Sequence, residues 1–226
     1  MDKLQLVNEI VALEWQAFQE VKNEGGRAAC QDHNETFDIM RKSQYLTWDE
    51  EMLVQYKADF SEALSRGWNM VTEKYARMMA SNAKEQYEAI KDELPVRSEA
   101  CIMLVEEIVK TQVSWMEDFA KEYPYLANRG RAVHTYEDTE YNTSYETYLR
   151  GELLTYSPKM LVLYAEFIKR LQKKGLNLSK FIMRFTTSLY GYASLEAAES
   201  KLKYSAAAKE VTDKILSNLS GFQRIG

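Results

Sequence analysis

Two loops of the sequence carry side chains that could bind a metal ion or transfer protons. They span residues 26–33 and 130–138, and each begins with the pair Gly-Arg. Thiolate, imidazole and carboxylate groups are ligands of zinc and other transition metals. Counted from the arginine, the third and sixth positions of both loops carry such groups: Cys30, His33, His134 and Glu137. The loops therefore predict a single transition-metal cofactor, and His134 and Glu137 are also our candidates for acid–base catalysis.

These positions have a second interpretation as surface polar residues and helix caps. The chain has 2 histidines, and neither loop has the ligand spacing of a known metal motif. Asp32 is well placed to cap the helix that follows the first loop. Both interpretations stay open from the sequence.

Anion binding is the other chemistry that these loops suggest, because guanidinium groups bind carboxylates and phosphates through paired donors. Tyrosines nearby can stack on a ligand and leave a hydroxyl for hydrogen bonding. For Arg150 an ordinary i,i+4 ion pair with Glu146 is the alternative, since Asp38 and Lys42 repeat this spacing. The predicted ligand-binding residues are Arg27, Arg129, Arg131, Tyr145, Tyr148 and Arg150.

Glu14 is a further candidate, because it lies on the apolar face of the first predicted helix between Val11 and Phe18. A carboxylate on a buried face is costly unless it is paired. It could be a general base with a raised pKa or a metal ligand. The alternative is a partly exposed glutamate that is hydrogen-bonded to an arginine or a tryptophan.

The segments that must position these residues occur twice along the chain. Residues 6–11 return at 104–109 with five identities in six, at an offset of 98. Parts of residues 46–56 return in 154–164 at an offset of 108, so the second copy carries about ten extra loop residues. This pattern predicts two tandem repeats, approximately 1–94 and 98–200, related by a pseudo-twofold axis. A functional site is expected at the seam between them.

Helical periodicity throughout the chain predicts an all-α fold with about ten helices, five in each repeat. Because such helices cannot bury their apolar faces within one repeat, we expect a single compact domain over residues 1–226, with a C-terminal helix or tail over 195–226. The residues that set the predicted helix ends are the caps Ser98 and Ser157, the terminators Gly67 and Gly175, and the capping boxes of Thr47 with Glu50 and Thr143 with Glu146.

The composition excludes several classes of function. The net charge is −5 and no run of lysine and arginine stands out, which disfavours nucleic-acid binding. No apolar run approaches the length of a membrane span, and the 2 cysteines do not make a disulfide framework. We expect a soluble cytoplasmic protein that does not bind a membrane. Its tail from Glu199 could pack on the core or on a second subunit, and the second case would give a homodimer.

Four segments, residues 26–32, 35–41, 74–79 and 146–153, resemble a bacterial family, rich in Firmicutes, that is catalogued only as a domain of unknown function. The resemblance covers residues 1 to about 200. It implies no activity, cofactor or catalytic residue. In some relatives such a domain is joined to a nucleotidyltransferase-like domain, which is an analogy with nucleotide or small-molecule chemistry.

The leading functional prediction is a protein that binds a small polar or anionic ligand, with a metal as a further candidate, between its two repeats. The alternative is a non-catalytic helical module for protein–protein interaction. A concave polar pocket favours the first, and an exposed apolar patch favours the second. The sequence leaves open whether the protein is an enzyme.

Overall fold

The computed structural model describes residues 2–22 and 26–222, with side chains up to residue 213. Residues 23–25 and the predicted domain limits at 1 and 226 lie outside the described residues. Within the described ranges the regular structure is entirely helical, which confirms the all-α prediction. The α-helices are α1 Lys3–Gln19, α2 Asn34–Tyr45, α3 Glu50–Ser65, α4 Met70–Asn82, α5 Lys84–Ile90, α6 Glu99–Glu122, α7 Pro124–Ala127, α8 Tyr145–Leu153, α9 Pro158–Lys173, α10 Leu178–Leu189 and α11 Leu195–Phe222.

Several helix ends follow the predicted local chemistry. Ser98 Oγ accepts a hydrogen bond from the backbone N–H of Cys101 at 3.3 Å, and Ser157 Oγ accepts one from Met160 at 3.1 Å. Both serines satisfy a free N–H group in the first turn of a helix. Two glycines with φ of 73° and 63° follow α3 and α9 and end them as predicted: Gly67 and Gly175.

Both predicted capping boxes are wrong. α3 begins at Glu50, and the Thr47 hydroxyl instead donates to a carbonyl at the end of α2 at 2.6 Å. α8 begins after Ser144, whose hydroxyl accepts the capping hydrogen bond at 3.2 Å. The Thr143 hydroxyl accepts a hydrogen bond from Asn82 at the end of α4. Because contacts outside the motif use both threonine hydroxyls, the order of residue types alone did not identify the caps.

The helices pack across the boundary between the predicted repeats. α4 packs against α8 and α2 packs against α10, while α3 packs against α9. One large apolar core consequently takes residues from α1, α3, α6, α8 and α9, which supports a single compact domain. No helix in the described part of the chain is both long enough and apolar enough to cross a membrane.

Gly151 sets the close approach of α8 to α4. A Cβ atom at this position would lie 2.7 Å from Met78 Cγ and 3.1 Å from the carbonyl oxygen of Lys74. Both distances are shorter than ordinary van der Waals contact. The absence of a side chain therefore allows α4 to place Lys74 directly beside α8.

The first turns of α11 pack on a small second cluster, in which Leu195 and Ala198 contact the end of α6 and α7. The Glu199 carboxylate also accepts hydrogen bonds from the backbone N–H groups of Tyr125 and Leu126 at 2.8 and 2.7 Å. A carboxylate is favourable there because the first N–H groups of a helix carry partial positive charge. The predicted C-terminal helix is thus anchored by its first turns.

One pair of contacts supports the predicted duplication. Asn69 Nδ2 donates to the carbonyl of Ala17 at 2.8 Å, and Asn177 Nδ2 donates to the carbonyl of Trp115 at 2.8 Å. The asparagines are 108 positions apart and their partners are 98 apart, which are the offsets of the sequence repeat. The pseudo-twofold relation itself stays a prediction.

Candidate functional site

The side chains predicted as metal ligands are spread over the surface. Cys30 and His33 are exposed, and His134 is half-buried. The Glu137 carboxylate accepts a hydrogen bond from the backbone N–H of His134 at 2.9 Å, so it is used within its own loop. Among the residues that the structure describes, no three His, Cys, Asp or Glu side chains are grouped so as to hold a metal ion. The metal prediction gains no support from this geometry.

The arginines predicted to bind an anion also lie apart. Arg27 donates to Asp32 Oδ1 at 2.8 Å and to the carbonyl of Gln31 at 2.7 Å. Arg129 is exposed. Arg150 forms ion pairs with Glu106 and Glu146. The structure therefore does not gather these side chains into one anion site.

The two predicted ligand-binding tyrosines have different surroundings. Tyr148 is half-buried between two cations, with Lys74 Nζ 3.9 Å and the Arg131 guanidinium carbon 4.7 Å from its ring centroid. Tyr145 points into the core, where its hydroxyl lies 3.4 Å from Gln112 Oε1. Burial raises the pKa of Tyr145 above its ordinary value, so this hydroxyl stays protonated and acts as a donor.

A buried ionic network lies at the seam between the predicted repeats. Arg41 donates to both Glu14 oxygens at 2.8 and 2.6 Å, and its Nη1 donates to both Glu152 oxygens at 3.1 and 3.0 Å. Lys74 Nζ donates to Glu152 Oε2 at 3.0 Å. The side chains of these four residues are between 4 and 9% exposed, and two carboxylates balance two cations. Such pairing offsets the desolvation cost of burying the charges.

Tyrosine hydroxyls complete the network. Tyr45 and Tyr56 donate to Glu14 Oε1 at 2.6 and 2.7 Å, and Tyr156 donates to Glu152 Oε1 at 2.9 Å. Burial raises the pKa of all three tyrosines well above the ordinary value. Their hydroxyls therefore stay protonated near neutral pH. There they donate hydrogen bonds to the carboxylate oxygens in addition to those from the cations.

The charged members of the network are held in their ionised forms. Desolvation alone would raise the pKa of Glu152, but the charges of Arg41 and Lys74 outweigh it and hold this pKa well below its usual range. Desolvation would likewise lower the pKa of Lys74, but the charge of Glu152 raises it above its ordinary value. Because these groups satisfy one another, the network is suited to joining the helices on either side of the boundary between the two predicted repeats. It does not present free groups to a ligand.

The second predicted repeat contains a neutral counterpart of part of this network. Tyr164 Oη lies 3.4 Å from Gln112 Oε1, at positions equivalent to Tyr56 and Glu14. An amide replaces the carboxylate there, and its oxygen accepts a hydrogen bond without a buried ion pair. The sequence assigned a special role to Glu14, and the structure shows it as fully buried and bonded to arginine. This matches the alternative in which Glu14 is hydrogen-bonded to an arginine, but its side chain is buried and not partly exposed as that alternative expected.

A groove of about 350 Å³ opens on another face, between α6 and α8. Its floor includes the apolar side chains of Val109 and Val113, and charged side chains surround them. Two residues predicted from the sequence, His134 and Arg150, line this groove. The other polar lining residues come from α6 and α8: Glu106, Lys110, Ser114, Glu117 and Glu146.

Arg150 is already paired on both sides. Its Nε and Nη2 donate to the two oxygens of Glu106 at 2.7 and 3.0 Å, and Nη2 also donates to Glu146 Oε1 at 2.8 Å. The predicted i,i+4 pair is therefore present. Burial would raise the pKa of Glu146, but the hydrogen bonds from Arg150 and from the Thr135 backbone N–H lower it below its ordinary value. Glu146 is ionised near neutral pH.

His134 faces a glutamate that the sequence did not single out. His134 Nε2 lies 3.2 Å from Glu117 Oε1, and the imidazole stacks on Tyr136 with 4.9 Å between ring centroids. Glu117, and not Glu137, is thus the carboxylate that orients this imidazole. A carboxylate–imidazole pair at the edge of a groove can bind a polar ligand or exchange a proton with it.

The sequence did not identify most members of either cluster. Glu106, Lys110 and Glu117 lie on the polar side of α6, where charged residues are ordinary, so nothing distinguished them. Lys74 and Glu152 are charged residues that the structure buries, and a lysine or glutamate within a helix gives no local sign of burial. His134 and Arg150 are the two groove residues that the sequence had already indicated as candidate site residues.

Comparison with curated proteins and with solved structures found no match. A family model described as a protein of unknown function, DUF4125, matches residues 4–200, which is most of the chain. The chain belongs to this family.

Proposed function

We propose that this protein binds a small charged molecule in the α6–α8 groove. The observation that carries the proposal is the convergence of charged side chains around an apolar floor in a concave volume of about 350 Å³. Sites for small molecules are usually preformed concavities of roughly 300–1,000 Å³ with a few polar groups placed around apolar walls. The volume is at the lower end of this range and favours a ligand of metabolite size.

The groove is a better candidate than the seam between the repeats. At the seam Arg41, Glu14 and Glu152 bond to one another, and a ligand would have to replace those bonds. Leaving any of these buried charges unpaired would cost several kcal/mol, on the order of 3–5. The charged groups of the groove are at least partly open to solvent, so a ligand can reach them without that cost.

A second function, protein–protein interaction, is favoured by one observation on α10. Phe185, Leu189 and Tyr190 are 37, 43 and 48% exposed, and the first two are one helical turn apart. A homodimer through this face is the simplest form of this alternative. Sedimentation equilibrium of the wild type and of Phe185→Ser tests it: a dimer that the substitution dissociates would support it, and a wild-type monomer would contradict it.

We also propose that the protein is located in the cytoplasm. Cys30 and Cys101 are free thiols, which fits a reducing compartment.

Ligand binding is tested by isothermal titration calorimetry with butyrate, butylamine, γ-aminobutyrate and inorganic phosphate. Ser114 is exposed and lines the groove, so Ser114→Trp should fill it without disturbing the core, and Ser114→Ala is the matched control. We expect at least one probe to bind the wild type and Ser114→Ala but not Ser114→Trp, at unchanged thermal stability. The proposal would be contradicted if a probe still binds Ser114→Trp. It would also be contradicted if none of the four probes gives a heat signal with the wild type at millimolar concentration.

A further inference from the structure

We infer that the groove takes a zwitterion, in which a carboxylate and an ammonium group are separated by a short aliphatic chain. A short ω-amino carboxylate is the simplest such molecule. This inference rests on the proposed function, because it names the class of ligand for the same groove.

The cation available to a ligand is Lys110. Arg150 is occupied by Glu106 and Glu146, as its three hydrogen bonds to these glutamates show. Lys110 is exposed, lines the groove and forms no ion pair with any side chain in residues 2–22 and 26–213. An ammonium group carries three donors and a full charge, which suits it to a ligand carboxylate.

The anion available to a ligand is Glu117, at the other end of the groove. Its ion-pair partner in the described chain is the His134 imidazole, at 3.2 Å. An imidazole carries a full charge only when it is protonated, whereas an alkylammonium group is charged throughout the physiological range. A ligand ammonium can therefore displace or share this contact and pair with Glu117.

The geometry of α6 sets the distance between these two groups. Lys110 and Glu117 are seven positions apart, which places them on the same face of the helix about 10 Å apart along its axis. With both side chains extended straight out from α6, so that their charged atoms keep this axial spacing, an ion-pair contact of roughly 2.8 Å at each end leaves about 5 Å between the charged atoms of the ligand. That separation corresponds to about two or three methylene groups, which would lie over Val113 on the apolar floor.

Leaving His134 aside, the groove carries a net charge of −1, which favours a ligand ammonium group, and among its described lining residues Lys110 is the one group left to take a ligand carboxylate. Three glutamates face one arginine and one lysine, with His134 as the remaining titratable group. A purely anionic ligand would be repelled by the glutamates, and a purely cationic ligand would leave Lys110 without a partner. A zwitterion can pair its carboxylate with Lys110 and its ammonium group with Glu117.

The test is calorimetric titration of γ-aminobutyrate, with butyrate, butylamine, glycine and ω-aminooctanoate as comparison probes. We expect γ-aminobutyrate to bind roughly two- to fivefold more tightly than the two singly charged probes, since each exposed ion pair contributes a modest amount. Glycine is too short and ω-aminooctanoate too long to bridge the two groups, and both should bind more weakly. Lys110→Ala should reduce γ-aminobutyrate binding to the level of butylamine, and Glu117→Gln should reduce it to the level of butyrate.

The matched control is Lys159→Ala, because Lys159 is another exposed helical lysine and lies outside the groove. It should bind γ-aminobutyrate as the wild type does. If butylamine or butyrate binds as tightly as γ-aminobutyrate and Ser114→Trp abolishes that binding, the zwitterion inference is wrong while the proposed function stands. If none of the probes binds in a way that depends on residue 114, both are wrong.

Discussion

Arg41 and Glu152 are 111 positions apart in the chain, and their side chains form an ion pair of 3.0 Å in the protein core. The pair joins α2 to α8, and hence the first predicted repeat to the second. Arg41 also pairs with Glu14 on α1, so one guanidinium connects three helices. Removing the Arg41 guanidinium would therefore take a partner from two buried carboxylates at once.

Arg41→Met should destabilise the protein strongly. The substitution leaves Glu14 without its cation and Glu152 with Lys74 alone, and removing one partner of a buried ion pair costs about 3–5 kcal/mol. Urea unfolding followed by circular dichroism measures the change. The control is Arg66→Met, which removes an exposed i,i+4 pair with Glu62 and should cost less than about 1 kcal/mol. Equal losses in the two variants would contradict the role given to Arg41.

The contribution of Glu152 should depend on pH in a defined direction. Its pKa is lower in the folded protein than in the unfolded chain, where a glutamate titrates near about 4.3. As the pH falls, the unfolded state therefore binds the proton first. The stabilisation is fully present above the pKa of the unfolded state and is lost as the pH falls towards the lower pKa of the folded state. The stability difference between the wild type and Glu152→Gln should be largest above about pH 5 and narrow towards pH 3. Urea midpoints of both proteins across this range measure it, and a difference that widens on acidification would refute the assignment.

Gly151→Ala should destabilise the protein although alanine is the better helix former. The change should gain about 1 kcal/mol of helix propensity. The new Cβ would meet Met78 Cγ at 2.7 Å and the Lys74 carbonyl at 3.1 Å, and overpacking of this kind costs about 1–3 kcal/mol. Thermal unfolding should show a net loss.

Gly130→Ala is the comparison for Gly151, because its Cβ would contact only the Ala127 carbonyl, at 3.4 Å. A stability change within about 0.5 kcal/mol is expected there. The Gly151→Ala loss should shrink when Met78 is shortened in the same protein, which a double-mutant cycle with Met78→Ala measures. No coupling between the two positions would show that the steric explanation is wrong.

Asn69 and Asn177 should contribute equally if the repeats are equivalent. Each asparagine caps a helix through Oδ1 and bonds a carbonyl of another helix through Nδ2. Replacing either by alanine should cost about 1–2 kcal/mol, of which the cap accounts for about 1. Serine at either position should keep the cap and lose only the contact with the other helix. Unequal costs in urea unfolding would count against the predicted duplication.

Much of the local structure was predictable because local residue types control it. Ser98, Ser157, Gly67 and Gly175 act through their own backbone and the adjacent turn, so their effect does not depend on distant neighbours. The all-helical class follows for the same reason, since periodicity of apolar residues is read within a few turns. The capping boxes failed where other contacts bind the hydroxyls: a carbonyl of the preceding helix for Thr47, and a tertiary contact with Asn82 for Thr143.

The sites were less predictable because they combine residues that are far apart in the chain. The sequence identified Glu14 as unusual from its place on an apolar face, and His134 and Arg150 from their loop and helix positions. It did not indicate that Glu14 would meet Arg41, nor that His134 would face Glu117. Charged residues on helices have similar sequence patterns whether they are buried in pairs or exposed.

The sequence by itself determined the helical class, most of the helix ends and the candidate duplication, because each depends on spacing along the chain. Only the tertiary structure decided which charges are buried together and where a groove remains. The crossing of α4 and α8 at Gly151 places Lys74 against Glu152, while the packing of α6 beside α8 leaves Lys110 and Glu117 facing an open groove. Those outcomes depend on the distances between helices, which the spacing of residues within a helix does not encode.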